Sequence, residues 1–212
     1  MKNRWNDREA RAFVARYKNA GVDLALRTYS ARLIGQDPNL VLHGGGNTSV
    51  KTIRKTVTGE PVPVLCVKGS GWDLDTIEPQ GHPAVRLDEL DALRSLPALS
   101  DEAMVNILRT NMLDSSGPTP SVETLLHAFL PHSFIDHSHA DAVLSITNQP
   151  DGERRVRAWV GDRMAIVPYI MPGFALAKLA AEIYERHPDV EGLVLLKHGI
   201  FTFGATARQS VT

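Results

Sequence analysis

The sequence contains a single cysteine, no long apolar run and no strong excess of either charge. Cys66 has no partner for an internal disulfide, so the fold must rest on a packed core, and a reducing compartment is expected. No apolar stretch approaches the roughly 20 residues that span a membrane, and the charged N-terminus lacks the pattern of a signal peptide. These absences predict a soluble protein of the cytoplasm.

The charge balance argues against nucleic acid as a partner. Basic residues number 23 and acidic residues 24, for a formal net charge of −1. The basic residues are scattered along the chain, whereas nucleic-acid-binding domains gather them in a patch or stripe. Neither nucleic acid nor a membrane is therefore expected as a partner.

The local patterns alternate between helix and strand, as in one α/β domain. Helical spacing of apolar residues covers 7–35, with a break at Gly21, and recurs at 88–96, 101–113, 122–129, 151–160 and 174–186. Short apolar or β-branched runs predict strands at 40–42, 48–53, 62–67, 133–139 and 164–169, and one or two strands broken by the Gly199 turn at 193–203. Hairpin signals beside longer crossovers predict a mixed sheet with helices on both faces.

Three histidines form the most informative pattern. His137 and His139 stand two residues apart in a predicted strand, and His198 ends a distant apolar run. Alternate residues of a strand point to the same face, so one strand can offer two imidazoles to an ion and another strand the third. Three protein ligands leave a coordination position open for chemistry. The alternative is that eight histidines reach this spacing by chance, as ordinary polar residues.

Two glycine loops adjoin the predicted strand ends. Residues 43–49 contain three consecutive glycines followed by Asn47, and residues 68–71 read Lys-Gly-Ser-Gly. Such a backbone can bring its N–H groups close to an anion, and the composition suits a phosphate. The patterns of the P-loop and of dinucleotide-binding loops are absent. A lone glycine triplet is more often a tight turn, but two loops in one region favour a ligand site.

Glu123 stands at the predicted start of a helix, shortly before the strand that carries the histidine pair. A carboxylate beside a metal can bind the ion or carry a proton, whereas a first-turn glutamate often only complements the helix dipole. His127, four residues on, offers either a fourth nitrogen or a packing residue. The residues alone leave these alternatives open.

Five motifs occur in the order typical of the class II aldolase/adducin family, which the chain therefore resembles over nearly its whole length. They are Gly-Gly-Asn-Thr-Ser at 45–49, Ser-Gly at 70–71, Pro-Ser-x-Glu at 120–123, His-x-His at 137–139 and Lys-His-Gly at 197–199. The segments 42–51 and 168–173 look most like the aldolase part of bifunctional rhamnulose-1-phosphate aldolase/alcohol dehydrogenases.

The resemblance implies a three-layer α/β/α domain with a mixed, mainly antiparallel central sheet, in a homo-oligomer such as a tetramer. It implies a divalent cation, zinc or another, bound by His137, His139 and His198, with Glu123 as the catalytic residue. It also implies a binding site for the phosphate group of a sugar, formed by Gly45, Gly46, Asn47, Ser70, Gly71 and Ser121. Val122 stands where the family has a second serine, so one hydroxyl donor to that phosphate is missing.

The implied activity is cleavage of a ketose 1-phosphate, such as rhamnulose 1-phosphate, to dihydroxyacetone phosphate and an aldehyde. Epimerases, dehydratases and decarboxylases share the metal site, and adducin-like members keep the fold as an interaction domain. The metallo-β-lactamase motif His-x-His-x-Asp-His is incomplete because Ala142 replaces its last histidine. Since the family continues with a helix beyond the position of Thr212, residues 1–212 are expected to form one domain, an N-terminal fragment of a longer chain.

Overall fold

The computed structural model describes residues 3–211. The helices, in chain order, are α1 (Asp7–Arg16), α2 (Val22–Gly35), α3 (Leu87–Ala92), α4 (Asp101–Thr110), α5 (Thr124–Phe129), α6 (Asp141–Thr147), α7 (Gly152–Val160), α8 (Phe174–Arg186) and α9 (Ala207–Val211). The strands are β1 (Asn47–Lys55), β2 (Pro61–Val67), β3 (Ala84–Arg86), β4 (Phe134–Ser138), β5 (Met164–Val167), β6 (Gly192–Leu195) and β7 (Gly199–Gly204).

The strands form one mixed sheet in the order β3-β2-β1-β4-β7-β6-β5. All neighbouring pairs are antiparallel except β5 and β6, which run parallel. The parallel pair is possible because α8 provides the crossover between its two strands. The mixed, mainly antiparallel sheet expected from the sequence is confirmed.

Helices cover both faces of this sheet, which gives the three layers expected. On one face α3, α4, α5 and α8 enclose a core with side chains such as Leu65, Ile135 and Phe201, each fully buried. On the other face α2 and α9 pack over Val50 and Val64. On that same face α6 and α7 pack over β5, β6 and β7. Burying each large apolar side chain contributes about 1.5–3 kcal/mol, so these two cores hold the layers together.

A buried ion pair joins α2 to the centre of the sheet. The guanidinium of Arg27 contacts the carboxylate of Asp136 on β4, and both side chains are almost fully buried. The guanidinium also donates to the carbonyl oxygens of Ser49 at 3.3 Å and Ile135 at 3.4 Å. Arg27 therefore fixes α2 against the two strands whose ends carry Asn47 and His137.

Some elements differ from the sequence prediction. Residues 40–42 were expected to form a strand but lie in a turn, because the N–H groups of Leu40 and Val41 both donate to the carbonyl oxygen of Asp37. Helix α5 begins two residues later than expected, since Thr124 donates its N–H and its hydroxyl to the carbonyl oxygen of Ser121. The three-residue β3 is too short to show a period and was not predicted, and α6 was not predicted either.

The single cysteine is part of the core. Cys66 on β2 is fully buried against the apolar residues of the α2 face. Burial raises the pKa of its thiol to about 12, so the reactive thiolate is scarce at neutral pH. Across residues 3–211, no helix has both the length and the apolar character that crossing a membrane requires.

Candidate active site

The three histidines predicted as metal ligands meet at one end of the sheet. His137 lies on β4, His139 just beyond it, and His198 in the short turn between β6 and β7. One ring nitrogen from each lies within 4.8 Å of those of the other two. The antiparallel pairing of β4 with β7 places the turn beside the end of β4. The triad is consistent with a divalent metal site.

The turn that carries His198 depends on close backbone packing. Lys197 adopts a left-handed conformation with φ 58°, and the N–H of His198 donates to the carbonyl oxygen of Leu195 at 3.2 Å. A Cβ at Gly199 would lie 2.3 Å from the carbonyl oxygen of Ser138 and 3.0 Å from the ring of His137. Only glycine therefore lets β7 begin this close to the histidine pair.

The protonation of the rings suits metal binding. Nδ1 of His137 lies 3.1 Å from the carbonyl oxygen of Ile200. Since a carbonyl can only accept, Nδ1 carries the hydrogen and Nε2 presents a lone pair to the site. Burial lowers the pKa of His137 to about 3 and that of His198 to about 4, although Glu123 raises the latter in part. Neutral imidazoles are the form that binds metals.

Glu123 lies against two of these rings. Its Oε2 is 3.3 Å from Nε2 of His137, and its Oε1 is 3.3 Å from Nε2 of His198. Oε1 is buried and has no hydrogen-bond partner among the described residues. A carboxylate oxygen facing the lone pair of His137 is repelled unless a proton or a cation lies between them. The residues present therefore fit a divalent cation bound by the three histidines.

Asn47 and Ser121, predicted to bind phosphate, contact Glu123 as well. Asn47 begins β1 directly opposite His137 in the sheet. Its amide nitrogen donates to Oε2 of Glu123 at 2.7 Å and to Oγ of Ser121 at 3.1 Å. Burial raises the pKa of Glu123, while His198 and the amide of Asn47 oppose the shift. Both amide hydrogens of Asn47 are thus used within the protein, which ties this residue to the carboxylate.

His127 does not act as a fourth nitrogen in this arrangement. Its Nε2 bonds to Oδ1 of Asn47, and its Nδ1 lies 2.8 Å from the hydroxyl of Ser49. Both ring nitrogens are therefore occupied. The ring packs edge-on against Phe201 at a centroid distance of 5.3 Å, and Phe201 stacks on His137.

The two glycine loops share one cleft of about 340 Å³. Main-chain bonds hold the loops in place, because Ser70 donates to the carbonyl oxygen of Thr119 and Ser121 donates to that of Lys68. The lining residues are Gly44, Gly45, Gly46, Asn47, Lys68, Gly69, Ser70, Gly71, Ser121, Val122, Glu123 and His139. Every residue predicted to bind phosphate is among them. His137 and His198 do not line the cleft themselves but contact Glu123, which does. A larger cavity of about 690 Å³ contains none of the predicted site residues.

Gly46 combines a positive φ with a close approach to another part of the backbone, and each of these requires a glycine. Its φ is +65°, and an added Cβ would lie 2.7 Å from the carbonyl oxygen of His137. Any side chain would therefore strain the backbone and push the loop away from β4. The glycine triplet brings the loop up against the metal-site strand.

Lys68 also lines the cleft, although no role was predicted for it. The residue is only 5% exposed, and its ammonium donates to the carbonyl oxygen of Gly44 at 2.9 Å. No carboxylate in residues 3–211 lies within ion-pair distance of it, so two of its three N–H donors lack a protein acceptor. Burial lowers its pKa, with Asp73 opposing the shift. A buried cation without a counter-charge favours an anionic ligand. Its place in the loop Lys-Gly-Ser-Gly was the available signal.

Replacing His139 by Ala should abolish stoichiometric zinc binding and leave the fold largely intact, because His139 lies beyond the end of β4 and is partly exposed. Elemental analysis per chain and thermal unfolding would measure both effects. The matched control is His187→Ala, which removes an exposed histidine at the end of α8 and should keep the metal. Full zinc retention in His139→Ala would contradict the three-histidine site.

Comparisons with known proteins agree with this geometry. Residues 28–212 match the family described as Class II Aldolase and Adducin N-terminal domain. The N-terminal class II aldolase domain of a conserved protein from Thermoplasma acidophilum is 43% identical and superposes with a TM-score of 0.87, over 100% of this chain and 92% of that one.

Two curated relatives are also similar. The uncharacterized oxidoreductase YuxG of Bacillus subtilis (strain 168) is 42% identical over 179 residues, which are 84% of this chain and 26% of the relative. The chain thus spans about a quarter of the length of that relative. Methylthioribulose-1-phosphate dehydratase of Pseudomonas paraeruginosa is 28% identical over 162 residues, 65% of this chain and 77% of the relative. From the family match and the shared architecture, the chain belongs to the class II aldolase/adducin family.

Proposed function

We propose that the chain is an enzyme that cleaves a ketose 1-phosphate, such as rhamnulose 1-phosphate, to dihydroxyacetone phosphate and an aldehyde with the help of a divalent cation. One observation carries the proposal: a histidine triad, a buried carboxylate and a cleft with an uncompensated lysine lie side by side. Membership in the class II aldolase/adducin family supports it.

His137, His139 and His198 would bind the cation. A bound cation would act as a Lewis acid, stabilising the negative charge that develops on the carbonyl oxygen of the substrate. The three neutral rings leave the full charge of the ion for this task.

Glu123 carries the proton. When the bond between C3 and C4 of the ketose breaks, the C4 hydroxyl releases its proton to water and becomes the aldehyde carbonyl. The electron pair of the broken bond remains with C3 and the adjacent carbonyl as an enediolate, which needs a proton at C3. The Glu123 carboxyl donates that proton in cleavage and removes it in condensation. Burial supports this role, because it raises the pKa of the carboxyl above its ordinary value.

The cleft binds the phosphate group. Lys68 supplies the positive charge, and the main-chain N–H groups of Gly71 and Val122 have no acceptor within residues 3–211. Val122 lacks the hydroxyl that the family has at this position but keeps its main-chain N–H. The ammonium of Lys68 therefore compensates for the missing hydroxyl in this proposal.

Zinc-loaded protein should release dihydroxyacetone phosphate from one or more ketose 1-phosphates but not from the same ketoses without phosphate. A coupled assay for dihydroxyacetone phosphate measures this directly. Lys68→Met should raise KM for the phosphorylated substrate by about 10- to 100-fold with a smaller change in kcat, since binding rather than proton transfer is weakened. Lys178→Met, on α8 outside the cleft, is the control. Equal turnover of phosphorylated and unphosphorylated ketoses would refute the phosphate role of the cleft.

A dehydratase is the second candidate, because one curated relative is named as a methylthioribulose-1-phosphate dehydratase. Dehydration would use the same proton removal at C3, followed by loss of a hydroxyl from C4 with the carbon chain intact. The two reactions differ in their products. Mass spectrometry of the reaction mixture would show either two fragments or a single product lighter by one water.

A further inference from the structure

A row of four buried side chains ends on the carboxylate of Glu123. The hydroxyl of Ser49 lies 2.8 Å from Nδ1 of His127, and Nε2 of His127 bonds to Oδ1 of Asn47. The amide nitrogen of Asn47 then donates to Oε2 of Glu123 at 2.7 Å. Ser49 and His127 are fully buried, and Asn47 and Glu123 are 5% and 7% exposed. The row is thus shielded from competing water.

The hydrogen bonds of this row can run in one direction only. An ionised carboxylate accepts but cannot donate, so Asn47 must turn its NH₂ group toward Glu123 and its oxygen toward His127. His127 must then donate from Nε2 and accept at Nδ1, and the acceptor is filled by the hydroxyl of Ser49. Burial lowers the pKa of His127 well below its ordinary value, which keeps one donor and one acceptor on the ring.

The row makes the two oxygens of Glu123 unequal. Oε2 accepts the hydrogen bond from Asn47 and lies near His137, whereas Oε1 has no hydrogen-bond partner among the residues described and lies 3.3 Å from Nε2 of His198. A hydrogen bond from Asn47 stabilises negative charge on Oε2 and restrains rotation of the carboxylate. The orientation of the carboxylate is therefore set through Oε2.

We infer that His127 is a positioning residue which, through Asn47, holds Oε2 of Glu123 and so fixes the orientation of the carboxylate. The inference rests on the proposed role of Glu123 as proton carrier. In cleavage an O–H bond of the Glu123 carboxyl breaks and a C3–H bond forms, and condensation reverses both changes. Ser49 contributes indirectly. Its hydroxyl donates to Nδ1 of His127 and so leaves the hydrogen of the ring on Nε2.

Two nearly isosteric variants of His127 separate positioning from packing. His127→Gln keeps an N–H donor near the position of Nε2, whereas His127→Met fills a similar volume without a donor. With zinc content equal in both, His127→Met should lower kcat by about 10- to 100-fold with KM within about threefold, and His127→Gln should retain most of kcat. Equal losses in the two variants would mean that the ring only fills space and would overturn the inference.

A double-mutant cycle tests whether His127 acts through Asn47. If it does, adding His127→Met to Asn47→Ala should change kcat by less than about twofold beyond Asn47→Ala alone, because the path to Glu123 is already broken. Independent effects would multiply instead. Multiplicative losses in kcat would overturn the proposed path.

A third readout does not depend on turnover. Long-range ¹H–¹⁵N NMR of the ¹⁵N-histidine-labelled wild-type chain reports which ring nitrogen of His127 is protonated, with His127→Gln used to assign the signals. Protonation of Nε2 supports the row, and protonation of Nδ1 overturns it. Absence of turnover on every ketose 1-phosphate refutes the proposed function instead, so the two failures are distinguishable.

Discussion

Glu123→Gln should lower the cleavage of a ketose 1-phosphate by about 10²- to 10⁴-fold while zinc content and stability change little. The variant keeps the size of the side chain and an oxygen able to accept the hydrogen bond from Asn47. It removes the titratable group, so no proton can be delivered to C3. Steady-state kinetics, elemental analysis and thermal unfolding of the same preparation would measure the three quantities.

The control is Glu182→Gln, which changes an exposed glutamate on α8 and should leave turnover unchanged. If Glu123 only complements the start of α5, its replacement should cost a few tenths of a kcal/mol of stability and spare catalysis. Unimpaired turnover in Glu123→Gln would thus assign the proton transfer to another group.

Arg27→Met should lower the free energy of unfolding by about 3–5 kcal/mol, because it leaves the carboxylate of Asp136 buried without its partner. Denaturant unfolding would measure the loss. The double variant Arg27→Met/Asp136→Asn should recover much of it, since no charge then remains to be buried. Arg154→Met is the matched control, because its ion pair with Asp151 lies at the surface and its loss should change stability little.

The loss in Arg27→Met should also depend on pH. Burial raises the pKa of Asp136 and Arg27 lowers it, so removing Arg27 raises the folded-state pKa further above the unfolded value of about 3.9. When the folded pKa of a carboxyl lies above the unfolded pKa, the folded state loses stability as pH rises from the unfolded value through the folded value. The reason is that the unfolded chain releases the proton more readily. The variant should therefore lie closer to the wild type near pH 4 than at pH 8. A deficit that does not vary with pH would contradict an uncompensated Asp136.

The fold could be predicted where a period or a turn signal was strong. Helix α8 was expected at 174–186 and spans Phe174–Arg186, and the strands expected at 48–53 and 62–67 form the hairpin of β1 and β2. The short apolar run at 40–42 had no clear period. Two of its N–H groups bond to the carbonyl oxygen of Asp37, so the run forms part of a local turn instead of a strand. Local sequence carries little information for elements of so few residues.

The residues of the candidate site could be proposed from the sequence, but the contacts that join them could not. The two-residue period of β4 was enough to propose that His137 and His139 share an ion, and the glycine loops were enough to propose an anion cleft. The bond from Asn47 to Glu123 joins residues 76 positions apart, and the ion pair of Arg27 with Asp136 joins α2 to β4. Such contacts depend on how the layers pack, which no short window of sequence encodes.

The turn between β6 and β7 leaves no spare residue, which limits where the chain tolerates insertions. Leu195 pairs directly with Gly199, so His198 occupies one of only three linking positions, and one added residue would rotate its ring away from His137. The hairpin turn around Val57 is fully exposed and lies outside the cleft. Peptide tags, fluorophores or guest domains are therefore compatible with the hairpin turn around Val57 and incompatible with the turn that carries His198.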